Sequence, residues 1–345
     1  MIVPAARPVD CLRGAMRLAW QLGAPIVALC TRSASAAEAV ALGRETGAHT
    51  VAIDVHGTDD LVPTFDTTAL LAGTEFWSTT DVSLRRNLGL LIAKVAGWRR
   101  ILFLDDDISR VNATDARAAA TLLDENAAVG LRNIGFPDNS VVCHAYREVG
   151  GQQDEFIGGG ALAVDPCRTT SFFPRIYNED WLFLLGDEGP GRLALTGEMY
   201  QRPYSPYADA GRARREEFGD CIGEGLYWLL DSGRGVDAAD AAFWRDFLLR
   251  RRRLLEHVLH HAPSVADGGE RDRLITAVEA ARGAGFSITP KLCLDYVRAW
   301  RADLMLWRDY TAGLPTRPAI EDCMAELGLD DRWYSAGSLT PTGAE

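Results

Sequence analysis

Over the first two hundred residues short apolar runs alternate with amphipathic stretches, the pattern of strands joined by crossover helices into a mostly parallel sheet. Met1-Ile2-Val3 reads as a short strand closed by Pro4. Val9 to Leu22 carries Leu12, Ala15, Met16 and Ala19 at helical spacing and meets Gly23, a residue suited to a C-cap. Pro25 to Leu29 reads as a strand, Ser35 to Thr46 as a helix stopped by Gly47, and Thr50 to Val55 as a third strand. Asp81 to Ala96 sets Leu84, Leu88, Leu91, Ile92 and Val95 on one helical face, with Arg85-Arg86-Asn87 in its first turns. Ile101 to Leu104 is an unbroken apolar run, as in a strand covered on both faces. Another strand follows the glycines of Phe156-Ile157-Gly158-Gly159-Gly160, and Tyr177 to Phe183 opens a helix.

From about Gly211 the period is helical almost throughout. Arg215 to Leu230, Ala238 to His261, Glu270 to Ala284, Pro290 to Ala312 and Ala319 to Leu327 are the expected helices. Asp231-Ser232-Gly233 and Asp267-Gly268-Gly269 supply turns between them. The organisation expected is an α/β domain over 1–210, a helical region over 211–334 packed on it, and a loose polar tail over 335–345.

Composition narrows the class. Of 345 residues 47% are apolar, enough for a proper core. With 36 basic against 48 acidic residues the net charge is −12, which argues against nucleic acid or an anionic membrane as the main partner. Seven cysteines without a CxxC pair indicate neither zinc nor a disulfide framework. No signal peptide or apolar run of membrane-spanning length is present, so a cytoplasmic protein without a transmembrane segment is expected.

The chemistry starts at Leu104-Asp105-Asp106-Asp107, where a buried strand runs into three carboxylates. Ligands of open α/β sheets bind beyond the carboxyl ends of the strands. Three adjacent anions there suit a shared divalent cation, Mn²⁺ or Mg²⁺, that also neutralises substrate phosphates; the bland reading is an acidic helix start. Gly158 to Gly160 reads either as a loop allowing close approach of a ligand or as a structural bend. Glu179-Asp180-Trp181 reads either as a capped helix start or as a carboxylate aimed into a pocket as general base.

Taken in order, these motifs resemble the GT-A glycosyltransferases of the family 2 type over roughly Met1 to Arg202. Val3 to Pro8 resembles the first-strand segment that contacts the nucleotide, which implies Pro4, Ala5 and Arg7. Arg85-Arg86-Asn87-Leu88-Gly89 is similar to the Arg-Asn-x-Gly helix beneath the nucleotide, implying Arg86 and Asn87. Leu104 to Asp107 resembles the DxD motif, with Asp105 on the ribose, Asp107 on the metal and Asp106 beside them; Asp105 and Asp107 are then the metal candidates. Gly159-Gly160, Phe172-Phe173 and Glu179-Asp180-Trp181 resemble the acceptor half, whose acidic pair holds the base; Asp180 is the choice, with Glu179 in reserve. Gly159, Gly160, Trp181, Gln201 and Arg202 are the implied substrate contacts. The resemblance implies a GT-A-like nucleotide-diphospho-sugar transferase fold and transfer from a nucleotide-diphospho-sugar donor to a hydroxyl acceptor, with inversion. One departure stands out: after the second strand the family places an acid that reads the base, where this chain has Cys30-Thr31-Arg32-Ser33. Asp54 is the substitute to consider. The helical cap and metal-binding histidine common in relatives have no clear counterpart.

Two other readings compete. A sugar-phosphate nucleotidyltransferase needs a Gly-rich first loop with a following Lys, and Pro4 to Pro8 has neither. A non-catalytic nucleotide-sugar-binding protein would not require acids at 105, 107 and 180. Self-association into a homo-oligomer is left open. In the helical region, Arg250 to Arg253 is expected on a solvated face pairing with Asp246 and Glu256, the other reading being a contact with an anionic acceptor or membrane surface. His257, His260 and His261 are expected on the surface, and Trp228, Trp244, Trp300 and Trp307 in the core. Gly197 to Tyr204 reads equally as a phosphate or acceptor contact and as a fixed linker.

Overall fold

In a computed structural model that describes residues 1–137, 139–153, 156–186, 189–264 and 268–337, strands and helices alternate through the first half of the chain. The order is β1 (Ile2–Ala5), α1 (Arg13–Leu22), β2 (Ile26–Cys30), α2 (Ala36–Thr46), β3 (Thr50–Asp54), α3 (Asp66–Leu71), α4 (Val82–Val95) and β4 (Ile101–Leu104). Then come β5 (Ile108–Val111), α5 (Ala113–Leu122), β6 (Ala128–Asn133), α6 (Val141–Glu148), β7 (Ala161–Val164), α7 (Glu179–Leu185) and β8 (Leu193–Gln201). The rest is α8 (Ala210–Asp231), α9 (Ala241–His261), α10 (Gly268–Gly285), α11 (Pro290–Ala312), α12 (Ile320–Glu326) and β9 (Trp333–Ala336).

The nine strands form one mixed sheet in the order β5-β8-β6-β7-β4-β1-β2-β3-β9. Strands β4, β1, β2 and β3 are mutually parallel, β7 is antiparallel to β4 and to β6, and β8 is parallel to β6. The edges β5 and β9 run antiparallel to their neighbours. The α/β class expected from the alternation therefore holds, with a sheet parallel in its β3-β2-β1-β4 half and mixed in the other. No helix among the described residues is long and apolar enough to cross a membrane.

The strand period of two divides the core between the faces of this sheet. Ile2, Val27, Leu29, Val51 and Ile53 pack on one side with α4, while Val3, Ala5, Ile26, Ala28 and Cys30 pack on the other with α1, α2 and α5. The first face also takes in the helical region: Phe218, Trp244, Trp300 and Trp307 belong to the same continuous core as α4. The junction is polar as well as apolar. Asp303 of α11, 1% exposed, accepts from the backbone N–H groups of Asp66 and Thr67 at 2.8 and 2.9 Å and from the Thr67 hydroxyl at 2.7 Å. It thus supplies the anion for the start of α3, whose own N-cap, Phe65, has no side-chain acceptor.

Several expectations are corrected. Pro4 does not close β1; the strand runs through it. Its missing N–H faces β4, where the pairing includes Ile2 alone, so no ladder bond is lost. The helix expected from Val9 begins as a 3-10 turn at Val9–Leu12 and becomes α-helical at Arg13, ending at Gly23 with φ 64°. Gly197 to Gln201 belongs to β8 instead of a linker. Ser335 and Ala336, expected in a loose tail, pair with Val51 and Thr50; positions 338–345 of that tail and Asp267 of the expected turn lie outside the described residues. Trp244, Trp300 and Trp307 are core residues, but Trp228 is 38% exposed.

Candidate functional site

The carboxyl ends of β1, β2 and β4 open onto a cleft of about 860 Å³ that continues past α7 to α8, as far as Glu224. The parallel register carries the chain out of the sheet here, at Ala6-Arg7, Arg32-Ser33 and Asp105 to Asp107. Such a position, beyond the strand ends of an open α/β sheet, is where these sheets bind ligands.

The three acids after β4 point to different partners. Asp105 places both carboxylate oxygens 2.9 Å from Arg86 Nη2. Asp106, 4% exposed, accepts from the backbone N–H groups of Ala6 and Arg7 at 2.7 and 2.8 Å and pairs with the Arg7 guanidinium. It fixes the loop leaving β1. Asp107 Oδ2 lies 3.1 Å from Arg7 Nη2 and 3.4 Å from Gln201 Nε2. The two carboxylates expected to share a cation, Asp105 and Asp107, thus have different neighbours. Asp105 is held by Arg86 through both oxygens, and Asp107 is the carboxylate beside the half-exposed Arg7 side chain. A divalent ion held by one protein carboxylate together with substrate phosphates is an ordinary Mg²⁺ arrangement, and Asp107 fits that role.

Arg86 is the centre of the cleft. Its side chain, 4% exposed, reaches Asp105 with Nη2 and Glu179 with Nη1 at 2.7 Å, and lies over the Phe173 ring. A Cβ at Gly159 would sit 2.5 Å from Nη1, so a larger residue at this position would push the guanidinium away from Asp105 and Glu179. Asp180 accepts from the Gly159 N–H at 2.6 Å and the Trp181 N–H at 2.9 Å. The short helix α7 is entered through Asn178 at φ 63°, a left-handed conformation that Asn tolerates better than most residues. Asn178 is anchored to Asp220 at 3.1 Å, and the turn sets Glu179 and Asp180 side by side. Burial raises the pKa of both carboxyls, with Arg86 opposing it, so the pair is more basic than exposed carboxylates would be.

On the β2 side the wall is Arg32, Ser33, Ser78, Thr79, Thr80, Asp81 and Arg85. Arg32 donates to the Thr79 carbonyl at 2.7 Å and closes the segment over the strand ends. At the other end α8 contributes Arg212, Arg215, Glu216, Asp220 and Glu224 beside Cys143 and Tyr204. Behind them is Arg251, which overturns the expectation of a fully solvated basic run. Its side chain is 2% exposed and reaches Glu217, Asp220 and Glu224. Cys143, Asp220 and Glu224 are the one grouping among the described residues whose ligand atoms approach closely enough to share a cation, although Arg251 already serves both carboxylates.

Of the residues singled out from the sequence, Pro4, Arg7, Arg86, Asp105, Asp106, Asp107, Gly159, Glu179, Asp180, Trp181 and Gln201 line this cleft. The others do not. Ala5 is buried in β1. Asn87 exchanges two 2.8 Å bonds with the Phe173 backbone and so anchors that segment. Asp54 accepts from the Ala36 N–H at 2.9 Å, at the start of α2. Gly160 accepts from the Asp105 N–H with its carbonyl, and Arg202 turns to Cys11. The α8 wall and the Ser78 to Asp81 segment were not singled out; for α8 the signal was the spacing of Glu216, Asp220 and Glu224 along the helix. Set against the models of known protein families and against curated protein sequences, the chain matches none.

Proposed function

We propose that the protein is a glycosyltransferase of GT-A type, moving a sugar from a nucleotide-diphosphate donor to a hydroxyl acceptor with inversion. The observation that carries this reading is one cleft bringing together the Asp105–Asp107 acids after β4 and the Glu179–Asp180 pair of α7, with Arg86 bonded to both sets. The β3-β2-β1-β4 order with a following antiparallel β7 also suits a nucleotide-sugar fold of this kind.

In this reading the nucleotide lies along the ends of β1 and β2 and the acceptor enters between α7 and α8. Asp107 is the residue that would hold Mn²⁺ or Mg²⁺ together with the donor phosphates. Such an ion, when bound, supplies positive charge against the leaving diphosphate. Arg7, half-exposed beside Asp107, is the side chain that must turn aside or join the phosphates. The acceptor oxygen attacks the anomeric carbon as its bond to the diphosphate oxygen breaks, and the hydroxyl proton passes to a carboxylate. Asp180 takes that role: burial raises its basicity, and the Gly159 and Trp181 N–H groups hold its orientation. Glu179, tied to Arg86, positions that arginine.

The test is turnover with a donor and acceptor pair, or slow donor hydrolysis in its place. Asp180→Asn should lower the rate by at least about a hundredfold, in the range of general-base contributions, with donor affinity near the parent value. Glu179→Gln should do less. Transfer by Asp180→Asn at the parental rate would refute the assignment of the base.

A further inference from the structure

Cleft arginines are mostly compensated by acids. Arg86 meets Asp105 and Glu179, Arg7 meets Asp106 and Asp107, Arg212 meets Glu216 and Arg215 meets Asp209. Arg85 is different. Its side chain is 5% exposed, and both Nε and Nη1 are buried with no hydrogen-bond partner, where Arg86 leaves only Nε without one. Among the described residues the ion-pair neighbour of Arg85 is Asp81, whose Oδ1 lies 2.9 Å from Nη2. That contact is close but lacks hydrogen-bond alignment, so Asp81 Oδ1 is unsatisfied as well. Burial lowers the pKa of Arg85, whereas the paired Arg7 and Arg86 are raised. Unsatisfied buried polar groups are costly, and several in one cleft wall call for a ligand that answers them.

We infer that Asp81 and Arg85, at the start of α4, read the nucleobase of the donor, and that they select a base with a carbonyl next to a ring N–H: uracil, thymine or guanine. The inference rests on the glycosyltransferase reading and deepens it. The acid absent after β2 is thereby replaced from another element, since Asp54 is engaged at α2. The polarity follows from the side chains. A guanidinium can only donate and an ionised carboxylate can only accept. Arg85 therefore needs an acceptor, for which a carbonyl oxygen is well suited, and Asp81 needs an N–H. Because the two groups are neighbours, the ligand must carry its carbonyl and N–H on adjacent atoms. Uracil and thymine do so at C4 and N3, and guanine at C6 and N1. Adenine has no carbonyl. The carbonyl of cytosine has no N–H beside it. The hydroxyls of Ser78 and Thr80, 3.0 Å apart on the same wall, and that of Ser33 complete a polar surround.

The experiment is calorimetric titration of the full chain with UDP, GDP, CDP and ADP in the presence of Mn²⁺, then of Asp81→Ala and Arg85→Lys. Asp81 gives α4 no capping bond, so its removal spares the helix start; a thermal melt checks both variants. UDP or GDP should bind at least tenfold tighter than CDP and ADP, and the ratio should fall below about threefold in Asp81→Ala. Four nucleotides binding the parent alike would overturn base reading while leaving a nucleotide site standing. Selectivity that survives in both variants would overturn the assignment to these residues. Binding of none of the four would overturn the glycosyltransferase reading itself.

Discussion

Replacing Arg251 by Met tests how the helical region is held together. The guanidinium makes five contacts of 2.7 to 2.9 Å: Nε and Nη2 to Glu217, Nη2 to Asp220, and Nη1 to both oxygens of Glu224. Glu217 and Asp220 are 0% and 2% exposed, so Met would leave at least two carboxylates buried without their counter-charge. Breaking a buried pair by removing one partner costs about 3–5 kcal/mol. Unfolding entropy of about 2.1 cal/mol/K per residue over 345 residues gives about 0.7 kcal/mol/K. The melting temperature should therefore fall by about 4–7 °C. The pH dependence gives the result its signature. Burial already raises the Glu217 and Glu224 pKa values above those of the unfolded chain, against the pull of Arg251. Without Arg251 they rise further. A carboxyl whose folded pKa is raised costs stability in full above that value, and the cost shrinks as pH falls below it, vanishing at the unfolded value; the difference between variant and parent closes once both hold the proton. The loss should be full at pH 8 and much smaller at pH 5.5. Melts of parent and variant at both pH values, with urea unfolding for the free energy, measure it. An equal loss at the two pH values, or one below about 1 kcal/mol at pH 8, would refute the reasoning.

Two further outcomes follow from the shared core. Asp303→Ala removes the acceptor for two backbone N–H groups and a hydroxyl at the start of α3, and urea unfolding should show a loss of about 2–3 kcal/mol. A fragment of residues 1–213 exposes the core face that Phe218, Trp244, Trp300 and Trp307 cover; it should aggregate or bind a hydrophobic dye, and a cooperative, soluble fragment in a melting experiment would contradict the single core.

What could be read in the sequence is what local pattern encodes. Strands β2 and β4 are unbroken apolar runs, β3 has an apolar centre between Thr50 and Asp54, and α4 carries a helical period, so their places were plain. The strands at the other end of the sheet were hidden. β8, LALTGEMYQ, is half-exposed over most of its length, and β5, Ile108–Val111, has two polar residues side by side at its centre and no alternation to read. β9 is an edge of four residues whose existence depends on β3. Charged residues were harder still. Arg250 to Arg253 looked uniform, yet Arg251 alone turns inward, because its neighbours on α8 decide its burial. The acids after β4 were found as a motif, but their division among Arg7 and Arg86 depends on residues up to a hundred positions away.

The pairing of β9 with β3 also bears on how the molecule is made. Asp54, the last residue of β3, leaves the ribosome 279 residues before Trp333, the first of β9. At about 5–20 residues per second, β3 spends roughly 15–55 s as an unprotected sheet edge while the rest is synthesised. An open edge is a template for strands of other chains. The nascent chain should therefore need a chaperone, or slow its own assembly, over that interval. Variants that delay β9 should lower yield more than they lower the stability of molecules already folded.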